Sequence, residues 1–137
     1  MKSIFTLVFC FSVSSLFAQS FSSPESVEYD VANGRYLVSN RGAVKSIQSV
    51  IPGQAPTLFT SNVTSPAGLE ILGSKLWVCD GGRMKSYDLT TGALVNNINV
   101  GATFLNGVTS DGSQFLFVSD FTAKQIYRIN TVTEAFN

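Results

Sequence analysis

The stretches Tyr36-Leu37-Val38-Ser39-Asn40, Leu76-Trp77-Val78-Cys79-Asp80 and Leu116-Phe117-Val118-Ser119-Asp120 share one pattern. Each is a short apolar run that ends in a small residue followed by Asn or Asp. The last residues of successive runs are 40 positions apart in both intervals. Apolar runs of this length predict strands that are covered on both faces. The constant interval indicates an internal repeat of one structural unit.

Further predicted strands surround each run. A shorter strand precedes it, over residues 26–30, 68–72 and 107–110, and the turn signals Asn33-Gly34, Gly73-Ser74 and Asp111-Gly112 join the two as a hairpin. An alternating strand follows, over residues 43–47, 84–89 and 124–130. The second unit continues into a fourth strand over residues 93–98, and a fourth strand of the third unit is expected to begin near Glu134.

Four antiparallel strands in about 40 residues are the size of one β-propeller blade. We therefore predict an all-β fold of about three blades, an incomplete propeller, in a domain spanning residues 19–137. The predicted units are 22–62, 63–103 and 104–137. A β-sandwich of short strands is the alternative, but it does not explain the constant interval.

The N-terminus has the pattern of an export signal. Lys2 precedes an apolar run over residues 4–17, and the small residue Ala18 follows it. This pattern predicts a secretory signal peptide at residues 1–18. The run is shorter than the roughly 20 residues of a membrane span. We expect an exported protein, periplasmic or extracellular, with no membrane contact after cleavage.

The composition argues against nucleic-acid binding and against catalysis by a cysteine thiol. The chain has nine basic and nine acidic side chains and no basic patch, so nucleic-acid binding is not expected. Signal cleavage would leave Cys79 without a disulfide partner, and the chain contains no histidine to activate a catalytic thiol. We expect Cys79 to be buried as a small apolar residue.

One family resemblance is carried by two stretches. The stretch Pro24-Glu25-Ser26-Val27-Glu28-Tyr29-Asp30 resembles the opening strand of the gluconolactonase, senescence-marker and luciferin-regenerating family. The stretch from Leu105-Asn106-Gly107-Val108 through Phe117-Val118-Ser119-Asp120 is similar to later blades of that family and to NHL-repeat propellers. The resemblance implies a divalent cation, often calcium, on the propeller axis, with Glu25 and Asn106 among its ligands. Such a cation would polarise a lactone carbonyl.

Other conspicuous residues are expected to be structural. Asn40, Asp80 and Asp120 recur in every unit, whereas a single axial site would need no repetition. Asn and Asp accept hydrogen bonds from the backbone of nearby turns, so we expect them to close the turn between the second and third strands. Trp77, Phe117 and Tyr36 are expected to pack between blades.

Two functions are compatible with these observations. The first is a metal-dependent sugar-lactone hydrolase, of which this chain would be a fragment with no complete catalytic set and no identified catalytic residue. The second is a non-catalytic extracytoplasmic propeller that binds a sugar, a peptide or a partner protein. Three blades leave open edges. The chain is therefore expected either to belong to a longer propeller or to self-associate, with two copies closing a six-bladed ring.

Overall fold

The computed structural model of the chain describes residues 21–137, so the predicted signal peptide lies outside the described residues. This part of the chain folds entirely into β-strands and turns. Among its residues, no helix is long and apolar enough to cross a membrane. The strands are β1 (Pro24–Asp30), β2 (Arg35–Asn40), β3 (Ser46–Val50), β4 (Thr57–Thr60), β5 (Pro66–Leu72), β6 (Lys75–Asp80), β7 (Arg83–Asp88), β8 (Leu94–Asn99), β9 (Leu105–Ser110), β10 (Phe115–Asp120) and β11 (Gln125–Asn130).

The strands form three antiparallel sheets in which hydrogen-bonded neighbours follow chain order. We call them blade 1 (β1–β4), blade 2 (β5–β8) and blade 3 (β9–β11). After β11 the chain turns back, and Phe136 forms a bridge with Ile129. The amide of Arg128 donates to the carbonyl of Asn137 at 2.9 Å, and the reverse bond is 3.1 Å. The last residues thus pair with β11 as the beginning of a fourth strand, as the sequence predicts.

Blade 1 departs from the prediction in its outer half. A strand is predicted over residues 43–47, but β3 begins only at Ser46. The reason is that the side-chain amide of Asn40 donates to the carbonyl of Val44 at 3.3 Å, and the amide of Gly42 donates to Ser22 at 2.7 Å. These bonds hold the chain in a turn. The fourth strand, β4, has only four residues and no clear alternation, so the sequence did not reveal it.

The blades stack with their first strands side by side, because β5 lies between β1 and β9. Two apolar clusters fill the spaces between blades. Leu37 and Ile47 of blade 1 pack with residues of blade 2 such as Leu76. On the other side of blade 2, Trp77 and Met84 pack in one cluster with residues of blade 3. Alternate residues of β6 therefore face opposite neighbours, which explains why the whole run is apolar.

Each blade has a following face, which points toward the next blade in chain order, and a preceding face. Leu37, Trp77 and Phe117 are equivalent positions on the following faces, and their exposed fractions are 0%, 1% and 39%. Phe117 is exposed because no described residue covers the following face of blade 3. Tyr36 is exposed on the preceding face of blade 1 for the same reason. The expectation of packing between blades is confirmed for Trp77. It is wrong for Phe117 and Tyr36 within residues 21–137, where no blade covers either side chain.

Candidate functional site

Each first strand contains a bulge near its beginning. In blade 1 the pairing skips from Pro24 opposite Asn40 to Val27 opposite Val38, so two residues face one. The same irregularity occurs in β5 and β9. The bulges place three residues at equivalent positions on adjacent strands: Glu25, Ala67 and Asn106.

Small residues on the second strands hold these bulges. The amide of Ser26 donates to Oγ of Ser39 at 2.9 Å, and the amide of Gly107 donates to Oγ of Ser119 at 3.0 Å. Cys79 occupies the same position in blade 2 and is fully buried, as predicted. Burial, and secondarily the charge of Glu25, raises the pKa of the Cys79 thiol. The thiol is therefore kept protonated and serves as a small packing group.

Gly68 allows the first strands of blades 2 and 3 to approach each other closely. A Cβ atom at this position would lie 2.1 Å from the carbonyl oxygen of Asn106 and 3.2 Å from the amide nitrogen of Val108. Both are backbone atoms, which cannot move away as a flexible side chain can. Glycine is therefore required here for close packing around the axis of the stack.

We expect Gly68→Ala to lower the free energy of unfolding by about 1–3 kcal/mol, because it overpacks this contact. Gly107→Ala is the matched control, since Gly107 occupies the same bulge position in β9. A Cβ atom there would meet only Oγ of Ser119, at 3.3 Å. Urea unfolding of both variants would measure the difference. Equal losses of stability in the two variants would contradict the close approach of β5 to β9.

The recurring Asn and Asp residues attach the loop that precedes each first strand. Oδ1 of Asn40 accepts a hydrogen bond from the amide of Ser22 at 2.8 Å. Oδ2 of Asp120 accepts one from the amide of Thr103 at 2.7 Å. Asp80 accepts bonds from the amides of residues 64 and 65. These contacts explain why a polar side chain ends each second strand.

The predicted role in the turn between second and third strands is confirmed for only part of this set. Asp120 accepts bonds from the amides of Thr122 and Ala123 at 3.0 and 2.9 Å. Asn40 bonds within its turn only through its amide group, to Val44. The prediction is wrong for Asp80, whose carboxylate instead pairs with Lys85 of β7. A glycine-containing turn of two residues follows Asp80, and it does not need a side-chain bond.

The Asp80–Lys85 pair lies inside the stack. Nζ of Lys85 is 2.6 Å from Oδ2 of Asp80, and both side chains are buried. Burial alone would raise the pKa of Asp80. Hydrogen bonds from Lys85, Ser65 and Thr64 outweigh burial, so the pKa is lowered below its usual value. Lys85 also donates to the carbonyl of Asn62 at 3.1 Å. Every polar atom of this pair therefore has a structural partner, and the pair is not a candidate catalytic acid or base.

The two predicted metal ligands, Glu25 and Asn106, occupy equivalent bulge positions on β1 and β9, but these strands are not adjacent because β5 lies between them. Glu25 is exposed and Asn106 is half-buried, and the strand between them carries Ala67 at the equivalent position. Calcium takes about six to eight oxygen ligands. The side chains at these bulge positions supply one carboxylate and one amide. In residues 21–137, no group of three or more His, Cys, Asp or Glu side chains is placed to hold a metal ion. The described residues alone therefore do not complete a calcium site.

A different group of side chains lies at the same end of the blades. We call this end the loop face. It consists of the loops that precede the first strands and the turns that follow the second strands. The guanidinium of Arg41 lies 4.8 Å from the ring centre of Phe104 and donates to Oγ of Ser65 at 3.1 Å. Phe121 donates its amide to the carbonyl of Phe104 at 3.0 Å, and its side chain is 73% exposed.

The loop face was not predicted from the sequence. Arg41, Gly81 and Phe121 directly follow the three recurring polar residues, so they are equivalent positions of the repeat. Their amides donate to Ser23, Ser65 and Phe104 respectively, at 2.9, 3.1 and 3.0 Å. The repeat thus fixes three backbone positions on the loop face, and the side chains at those positions differ from blade to blade. This variation at a fixed position was the signal available in the sequence.

Several solved structures are similar to this chain in fold. A chain in the crystal structure of a nidogen/laminin complex has a TM-score of 0.71 and 15% identity, over 88% of this chain and 48% of that one. The β-propeller domain of Cps50 (Swd1) from Myceliophteria thermophila has a TM-score of 0.68 and 11% identity, over 88% and 39%. The computationally designed Ika4 protein has a TM-score of 0.61 and 8% identity, over 78% and 65%.

These comparisons define the class of fold. This chain consists of β-propeller blades and forms an incomplete propeller. It spans less than two thirds of each of the structures above. No protein-family model and no curated protein sequence matches the chain. Membership of the gluconolactonase family therefore stays a prediction of the sequence resemblance.

Proposed function

We propose that this chain is the ligand-binding part of a non-catalytic, extracytoplasmic β-propeller, and that its loop face binds a peptide or a partner protein. One observation carries the proposal. Arg41 of blade 1 lies against the ring of Phe104 at the start of blade 3, and Phe121, whose amide donates to the carbonyl of Phe104, has an exposed side chain. An arginine and aromatic rings on one surface are the residue types that are enriched at the centres of protein interfaces.

The loops of the loop face are held by hydrogen bonds within the chain. In each blade, the loop before the first strand donates a backbone hydrogen bond to the recurring polar residue Asn40, Asp80 or Asp120. The guanidinium of Arg41 also donates a hydrogen bond to Oγ of Ser65. Preorganisation reduces the entropy that is lost on binding. One of the similar structures comes from a complex of nidogen with laminin, in which two proteins are bound to each other. That likeness is compatible with a protein ligand for this chain.

Selection of phage-displayed random peptides against the wild-type protein tests the proposal. The selected peptides should bind Arg41→Ala and Phe121→Ala at least about tenfold more weakly, which is the effect of losing an interface residue that dominates binding. Val31→Ala is the control, because Val31 is an exposed apolar residue in the turn at the opposite end of β1. Peptides that bind all three variants as tightly as the wild type would contradict a binding site on the loop face.

Lactone hydrolysis is the second candidate, and one observation favours it. Glu25 and Asn106 are polar side chains at equivalent bulge positions of the first strands β1 and β9. If a cation is bound with help from residues beyond those described, calcium chloride should raise the melting temperature of the wild-type protein, and Glu25→Ala should abolish the rise. An equal response in both proteins would exclude Glu25 as a ligand.

A further inference from the structure

The two outermost blade surfaces are the counterparts of surfaces that are buried elsewhere in the same chain. On the following face, Ile47 of blade 1 and Met84 of blade 2 are fully buried, whereas the equivalent Ile126 of blade 3 is 65% exposed. Phe117, described above, lies on the same face as Ile126. The following face of blade 3 therefore carries the apolar residues of an inter-blade contact without the neighbouring blade.

The preceding face of blade 1 shows the complementary pattern. Leu69 of blade 2 packs against blade 1 and is buried, whereas the equivalent Val27 is 60% exposed. The rings of Tyr29 and Tyr36 contact each other beside it, with ring centres 4.8 Å apart and a tilt of 39° between the planes, and both are exposed. No residue between 21 and 137 covers this face.

The two open faces are of the same two kinds that contact each other between neighbouring blades of this chain: one is a following face and the other is a preceding face. Within the chain, Ile47 of a following face and Leu69 of a preceding face belong to one cluster. Met84 and Val108 repeat that relation between blades 2 and 3. A contact between the residues at positions 126 and 27 of two molecules would continue the same interface. Contact between two following faces would not reproduce it.

We propose that a second copy of this chain occupies the open faces, with blade 3 of each copy packed on blade 1 of the other. The two contacts are identical and close on themselves, so the assembly is a ring of six blades and does not grow into a fibre. Six blades are within the range of about four to eight that is found in propellers. The loop faces of both copies lie at the same end of this ring.

Light scattering and sedimentation of the purified protein measure the assembly. The wild type should have twice the mass of one chain. Val27→Glu and Ile126→Lys should each have the mass of one chain, because each variant places a buried charge in both contacts. Val31→Glu and Val132→Lys are the matched controls and should stay dimeric, since both residues lie in exposed turns outside the strands. A wild type of single-chain mass, or one that forms open-ended assemblies, would overturn the proposal.

Mixing the two monomeric variants separates this arrangement from a loss of folding. In a ring of one Val27→Glu chain and one Ile126→Lys chain, one contact joins the new glutamate to the new lysine and the other contact is wild type. An equimolar mixture should therefore regain the two-chain mass. A mixture that stays monomeric, or a Val27→Glu protein that remains dimeric by itself, would exclude the packing of blade 3 on blade 1.

Discussion

Replacing Trp77 with alanine should lower the free energy of unfolding by about 3–5 kcal/mol, the usual cost of removing a large aromatic side chain from a core. Trp77 is almost completely buried, and it belongs to the cluster that joins blade 2 to blade 3. The cost should be at the high end, because the surrounding strands are held in register on both sides and cannot close the cavity. Urea unfolding followed by circular dichroism measures the change.

Phe121→Ala is the control for Trp77→Ala. It also removes an aromatic ring, but from an exposed position on the loop face. It should change the free energy of unfolding by less than about 0.5 kcal/mol, as is usual at exposed sites. Both variants are compared at the same protein concentration, so that self-association affects them equally. Equal losses in the two variants would contradict the packing of blade 3 on the Trp77 side of blade 2.

Asp80→Ala should also cost about 3–5 kcal/mol, because it leaves the charge of Lys85 buried without its partner. The substitution also removes the acceptor of the amides of Thr64 and Ser65. The double variant Asp80→Ala with Lys85→Met should recover part of this loss, since it removes the unpaired charge. A double variant that is less stable than Asp80→Ala alone would show that the ion pair is not the main contribution.

The pH dependence of the free energy of unfolding measures how much the negative charge of Asp80 contributes to stability. Its folded-state pKa is lowered below the usual value of 3.8, so the ionised form stabilises the fold above about pH 4. That stabilisation is lost as the pH falls through the folded-state pKa. The difference in unfolding free energy between the wild type and Asp80→Asn should therefore shrink as the pH falls below about 4. A difference that is constant from pH 7 to pH 3 would contradict the role of the ionised carboxylate.

The second strands were the most predictable part of the fold. β2, β6 and β10 end at Asn40, Asp80 and Asp120, where the repeat places them. A strand that is covered on both faces must be apolar throughout, and a side chain that fastens the next loop must be polar. Both requirements apply at the same position of every repeat, so the apolar run and the polar residue after it recur at a constant interval in the sequence.

The exposure of equivalent residues was not predictable in the same way. Leu37, Trp77 and Phe117 have the same local sequence pattern, but only the first two are covered by another blade. Burial depends on which blade lies next to a given face, and that information is not contained in the strand itself. The start of β3 was missed because a side-chain bond of Asn40 competes with strand pairing.

The candidate site was predicted in part. Glu25 and Asn106 were named through the family resemblance, and the structure places both in bulges of first strands. The loop face was missed because Arg41 and Phe104 are far apart in the sequence and meet only when blades 1 and 3 are assembled around blade 2. Contacts of that kind follow from the stacking of blades, and local pattern does not reveal them.

The stacking of blades around an axis is tested most directly by one nuclear Overhauser measurement. Gly68 of β5 lies against the amide of Val108 in β9, because a Cβ atom at position 68 would be 3.2 Å from that nitrogen. We therefore expect a cross-peak between Hα of Gly68 and the amide proton of Val108. If cross-peaks between strands of one sheet were observed and this one were absent, the first strands would not be adjacent, and the propeller arrangement of the three sheets would be wrong.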